Sequence, residues 1–169
     1  MRKASMVVIV LVVVVCALIL QGFIEGQRAV DAARSFHVRF AGAEHREIAG
    51  GQLYVDTFLI LENGKPYDVE IDGGSCNVFL DWGSGYRLIG YGSLHYGLVR
   101  GKSEAMIPVR LVIDLSQLPK SVADWISSGG RIGGNFTNVK FRIDLVLRIP
   151  IKILGVRIST NSVRLTYIT

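Results

Sequence analysis

Several groups of residues in this 169-residue chain have types and spacings that chemistry could use. The segment Gly97-Leu98-Val99-Arg100-Gly101-Lys102-Ser103 carries the glycines, lysine and hydroxyl of a phosphate-binding loop. Such a loop wraps a phosphate in successive backbone N–H groups, needs four residues between its glycines, and opens a helix. Here only three residues intervene, and Ile107-Pro108-Val109 continues as a strand, so the segment reads as a hairpin turn. Asp68, Glu70 and Asp72 share one strand face, with Asp81 across a turn, and carboxylates in number can hold Ca²⁺. Alternate strand residues stand about 7 Å apart, too far for three to share one ion without loop ligands. A solvated face is the expectation.

Nucleophiles and metal ligands fare no better. No Gly-x-Ser-x-Gly elbow occurs, so a serine esterase has no support. His37, His45 and His95 are scattered, without a second ligand at metal spacing. Cys76 is alone in its domain and reads as a small buried apolar residue; Cys16 lies in an apolar run, so no internal disulfide braces the fold. No catalytic residue, cofactor or metal is expected. Two features remain for recognition. Trp82, Tyr86, Tyr91 and Tyr96 fall in or near turns and could form a contact patch. Asn135-Phe136-Thr137 is an N-glycosylation acceptor pattern at Asn135.

The elements that would carry these residues begin with a hydrophobic run. Met6 to Leu20 contains no polar side chain, and Phe23 and Ile24 extend it past Gln21 and Gly22. A helix from Met6 to Ile24 would be about 28 Å long, close to the hydrocarbon thickness of a bilayer. Arg2 and Lys3 before it also suit a signal peptide, but Leu20-Gln21-Gly22 is a poor cleavage site and Val30-Asp31-Ala32 lies far beyond the core. An uncleaved single-pass anchor is expected over residues 1–24. The same two basic residues favour a cytoplasmic N-terminus, which Arg28 and Arg34 on the other flank weaken. With Asn135, they place the soluble domain on the extracytoplasmic side.

Net charge is +5, but Arg2 and Lys3 are two of the 19 basic residues, leaving 17 against 14 acidic. The basic residues are dispersed and not interleaved with aromatics, so no nucleic-acid partner is expected.

Residues 25–35 are helix-compatible and read as a stalk. Beyond them the period changes to two. Phe36, Val38 and Phe40 alternate with polar residues; Leu53, Val55, Leu59 and Leu61 share a face; Val69 and Ile71 lead through Gly73-Gly74 to Val78 and Leu80. The Gly pair suggests a bulge or a close backbone approach. Tyr86 to Ser93 returns after a Trp82–Gly85 turn. Ala105 to Ile113, Phe141 to Leu147, Val156 with Ile158, and Val163 with Leu165 complete the strands. Leu118, Val122, Trp125 and Ile126 have helical spacing, with Pro119 near the first turn and Gly129-Gly130 as a stop. The pattern predicts an all-β domain with one short helix: a two-sheet antiparallel sandwich of about seven strands over residues 36–169. From Phe36 onward it is expected to fold without the anchor.

The order of these pieces resembles the late embryogenesis abundant group 2 family, whose core is the WHy (water stress and hypersensitive response) domain. The resemblance covers roughly Phe36 to Thr160. It rests on the strand Leu53–Glu62 ending in Asn63, on Arg87-Leu88-Ile89-Gly90-Tyr91-Gly92, on strand Ala105–Asp114 with the helix after it, and on Lys140–Ile149 with Pro150. The family usually has Asn-Pro where this chain has Asn63-Gly64-Lys65-Pro66. The resemblance implies a sandwich of two antiparallel sheets with one helix and a non-enzymatic, stress-related role at a membrane. The alternative is an extracytoplasmic binding module for a lipid, a glycan or a neighbouring membrane protein, working through the aromatic residues.

Overall fold

The computed structural model describes residues 2–81, 83, 85–127 and 140–168, with side chains except at 2–8, 42–46 and 125–127. Helix α1 (Arg2–Arg34) leads into strands β1 (His37–Ala49), β2 (Gln52–Glu62), β3 (Val69–Asp81), β4 (Arg87–Val99) and β5 (Glu104–Asp114). A 3-10 turn (Leu115–Gln117) and helix α2 (Lys120–Ser127) precede β6 (Lys140–Ile153) and β7 (Val156–Ile168). The expected all-β domain with one short helix is what the chain forms. The described part of the expected helical segment is divided: Asp114 accepts hydrogen bonds from the Ser116 N–H and hydroxyl, which closes the 3-10 turn. The Pro119 carbonyl then accepts the first bonds of α2, from Val122 and Ala123.

Among the described residues, the seven strands belong to one antiparallel sheet in the order β1-β2-β5-β4-β3-β6-β7. The two layers expected from the sequence are the two halves of this sheet curled over, and the rings of Phe40 on β1 and Tyr167 on β7 meet at 5.8 Å. The joint between halves is the short ladder Gly90–Leu94 with Val109–Ile113, half the length of the β2–β5 ladder. Glycine is required there: a Cβ on Gly90 would lie 2.4 Å from the Val112 carbonyl oxygen, and one on Gly92 would lie 2.6 Å from Leu111 and 2.7 Å from Cys76 Sγ.

Period-2 burial follows the apolar alternation. Val55, Leu59, Ile107, Val109, Leu111, Ile143, Leu145 and Leu147 are all buried between the halves, because a strand with one buried face has only one register that hides its apolar set. The Gly73-Gly74 pair makes a close backbone approach: Gly73 has φ +84°, and a Cβ on Gly74 would lie 2.3 Å from the Val146 oxygen. The rung Leu147–Gly74–Leu94–Val109 is the last that spans β6, β3, β4 and β5. Beyond it the paired ends of β3 and β4 leave both neighbours.

Helix α1 enters at this end, packing against β6, β7 and β3. It is unbroken from the apolar run to Arg34. The residues expected to form a stalk therefore do more than space the domain: Val30, Ala32 and Ala33 are buried in the same apolar cluster as the strands.

Candidate functional site

The Gly97–Ser103 segment is the end of β4 and the hairpin turn to β5, and the N–H groups of its second glycine and its lysine are already used. Gly101 donates to Asp68 Oδ1 at 2.8 Å and Lys102 to the Lys65 carbonyl at 2.8 Å. Behind them Asn63 is buried and fully bonded. Its amide donates to the carbonyls of Tyr67 (2.7 Å) and Arg100 (3.2 Å), its Oδ1 accepts from Lys65 N–H (2.9 Å), and its own N–H reaches Ser103 O (2.8 Å). One side chain thus clasps two loops together, which is why a buried polar residue is tolerated here.

The carboxylates are likewise engaged. Glu70 binds Lys152 Nζ at 2.6 and 2.7 Å, Asp72 pairs with Arg157, and Asp81 Oδ1 accepts from Gly83 and Gly85. The hydrogen bond to Glu70 raises the Lys152 ammonium above its ordinary value. Among the described residues no group of three His, Cys, Asp or Glu side chains could hold a metal. Cys76 is buried, and burial pushes its thiol up to about 12, so it stays protonated and unreactive at neutral pH. His37 lies at the start of β1 and His95 on β4, both exposed.

Of the aromatic candidates, Tyr91 and Tyr96 are exposed on β4, at 60% and 61%. Five residues apart on a regular strand they would lie on opposite faces. Both face outward because β4 changes its inward parity between Leu94 and Gly97, opposite Gly73. They stand about 17 Å apart along the strand. Tyr86 is half-buried beneath the Arg142 guanidinium, 5.3 Å from its ring, with Phe79 at 4.5 Å from the same cation. Tyr86 is thus partly covered, and Tyr91 and Tyr96 are exposed but apart. Trp82 and Asn135 lie outside the described residues.

The feature that sequence reasoning passed over is the contact between α1 and the sheet. Gly22 and Gly26 lie one turn apart on one helix face. A Cβ on Gly22 would meet Ile153 Cγ1 at 2.7 Å and the Lys152 oxygen at 3.0 Å; one on Gly26 would meet Ile151 at 3.0 Å. Small residues four apart let another backbone approach a helix closely, and Gly22-x-x-x-Gly26 was the signal available in the sequence. Before Gly22 the apolar residues of the helix are largely exposed all round, Val15 and Ile19 on the glycine face as well as Val12 and Leu20 away from it, and level with the contact Phe23 and Ile24 remain exposed. The stretch Ile9–Arg34 is long and apolar enough to cross a membrane.

No family model matches the chain, and no curated protein does. Among solved structures, a protein from Archaeoglobus fulgidus is similar at 12% identity, over 80% of this chain and 94% of that one, with a TM-score of 0.31. An Arabidopsis thaliana protein with a solution structure is similar at 11% identity, over 80% and 82% of the two chains, with a TM-score of 0.43. A glycoside hydrolase family 2 β-glucuronidase is similar at 11% identity over 77% of this chain and 11% of its own, with a TM-score of 0.33.

Proposed function

We propose that the chain is a non-enzymatic, membrane-anchored β module of the WHy type, with a protective or structural role at the membrane surface and its sheet domain on the extracytoplasmic side. The observation that carries this reading is the division of α1. Its N-terminal part, from Ile9 to Ile24, is apolar and exposed over about 24 Å, and its C-terminal part is locked into the domain through Gly22, Gly26, Val30 and Ala33. A domain held this way stands at a fixed height above the lipid. The hydrogen-bonding groups that resemble chemical sites are spent inside the fold, which supports a structural role over a catalytic one.

The test is drying and rehydration of vesicles that carry the full chain and a trapped dye. Retention above that of vesicles carrying residues 1–34 alone is expected. Equal retention would remove the protective role and leave the second reading, a binding module, which the exposed Tyr91 and Tyr96 favour. In that case a Tyr91→Ala, Tyr96→Ala double variant should lose a ligand that the parent retains.

A further inference from the structure

The turn between β6 and β7 carries apolar residues where the sequence pattern promised burial. Leu154 is 75% exposed, Val156 64% and Ile158 48%. Val156 and Ile158 alternate like a core strand, yet the inward positions of β7 are Val163, Leu165 and Tyr167. Leu154 also sits at φ +52° beside Gly155 at φ +78°. Two positive values at the centre of a two-residue hairpin suit Asn-Gly or Asp-Gly, and a leucine there gives up backbone comfort for an apolar tip.

The position of this tip relative to α1 is fixed. Ile151 lies against Gly26 and Ile153 against Gly22, so the end of β6 runs alongside the helix toward its N-terminus. Two strand residues advance about 6.6 Å and four helical residues about 6 Å, so the two climb at the same pace. The Leu154–Gly155 turn then stands level with about Leu20, some four residues inside the apolar run that ends at Ile24. That places it about 6 Å below the edge of the run. Interfacial apolar elements bury about 5–10 Å into the boundary between headgroups and acyl chains. Val156 pairs with Ile153 at the level of Gly22. The charges begin just above: Lys152 pairs across with Arg157, each ion-paired to β3, and on the helix Glu25 is exposed at about that height with Arg28 on the next turn.

We propose that the β6–β7 tip, through Leu154 and Val156, dips into the same leaflet that α1 crosses, giving the domain a second membrane contact. The occupant of this apolar surface is lipid, because the surface is continuous with the lipid-facing side of α1 and ends where the charged belt starts. The inference rests on α1 spanning the bilayer.

The test uses the full chain in phosphatidylcholine vesicles with single spin labels, read by accessibility to oxygen and to a water-soluble nickel chelate. Four labels suffice: native Cys16 in a Cys76→Ala chain, and Leu154→Cys, Val156→Cys and Leu88→Cys in a chain with both native cysteines changed to alanine. Cys16 marks the span, and Leu88 is an exposed apolar residue at the far end of the sheet. The Leu154 and Val156 labels should lose chelate accessibility and gain oxygen accessibility relative to Leu88, at a depth shallower than Cys16. Chelate access at Leu154 and Val156 equal to that at Leu88, with Cys16 protected, overturns the tip contact while the anchor stands. Chelate access at Cys16 itself overturns both.

Discussion

If the C-terminal half of α1 belongs to the domain, the position of a truncation decides whether the domain survives it. Removing residues 1–21 deletes most of the uncovered apolar run and leaves every helix residue that the sheet buries. Removing residues 1–34 also takes away Val30, Ala32 and Ala33, which are at most 3% exposed. A buried valine is worth about 2 kcal/mol and each alanine methyl about 0.8 kcal/mol, so the direct loss is about 3–4 kcal/mol. Ile149 and Ile151, buried in the intact fold, are then expected to lose cover, which adds to it. Against a total of roughly 5–15 kcal/mol for a domain of this size, that is a large share. The longer deletion should therefore melt on the order of 10–15 °C lower than the shorter one, at about 2–8 °C per kcal/mol for domains of these lengths. Far-UV circular dichroism with thermal melting reads this directly. Equal melting temperatures would show that the helix end merely leans on the sheet and that the domain from Phe36 is self-sufficient.

Four further outcomes are expected. Asn63→Ala should cost about 2–4 kcal/mol by denaturant melting, since it removes three side-chain hydrogen bonds and strands two carbonyls; Asn63→Asp, which keeps only the acceptor, should rescue little of it. Gly90→Ala should destabilise by about 1–3 kcal/mol in the same assay, against the usual gain from replacing glycine, because the new Cβ meets backbone that cannot move without opening the bend. In detergent at pH 7.5 a maleimide should leave Cys76 untouched until the chain unfolds, read by mass spectrometry. The hydrogen bonds from the Ser116 side chain and N–H hold the Asp114 carboxyl below its ordinary 3.8. A depressed folded value means that its contribution is complete above the unfolded value and is lost as pH falls through the folded one. Asp114→Asn should accordingly flatten the acid limb of a stability–pH curve below about pH 4 and leave neutral pH dependence unchanged.

The strands were legible because one physical demand, hiding one face, writes period two into the sequence. Ala105 to Ile113 shows it without interruption and Leu53 to Leu61 with Thr57 as its one polar step, and both face inward as expected. The joining of the two layers into one sheet was not legible. It depends on where strands may cross closely, and Gly90 and Gly92 announce a missing side chain without naming the neighbour that needs the space. The tyrosines show the same limit. Alternation assigns Tyr91 and Tyr96 to opposite faces, and only the parity change beside Gly73, a pairing between distant segments, puts both outside.

The N-terminal helix was the hardest element to divide, and the reason lies in solvent physics. A bilayer and a protein core ask for the same side chains, so an apolar residue in α1 does not say which of the two it faces. Size separates them. Lipid accepts large residues such as Leu20, Phe23 and Ile24, whereas a strand crossing within contact distance of the helix axis accepts only Gly22 and Gly26. Both kinds alternate between Leu20 and Gly26, so anchor and domain overlap along that stretch of the helix instead of meeting at one residue. An anchor joined through a flexible linker would let the sheet tumble, and the apolar β6–β7 tip would then be an exposed edge inviting aggregation. Locked to α1 at Gly22, the tip meets lipid at one depth and in one orientation. The Gly22–Ile153 contact is therefore what turns the exposed Leu154 and Val156 from a liability into a second point of attachment.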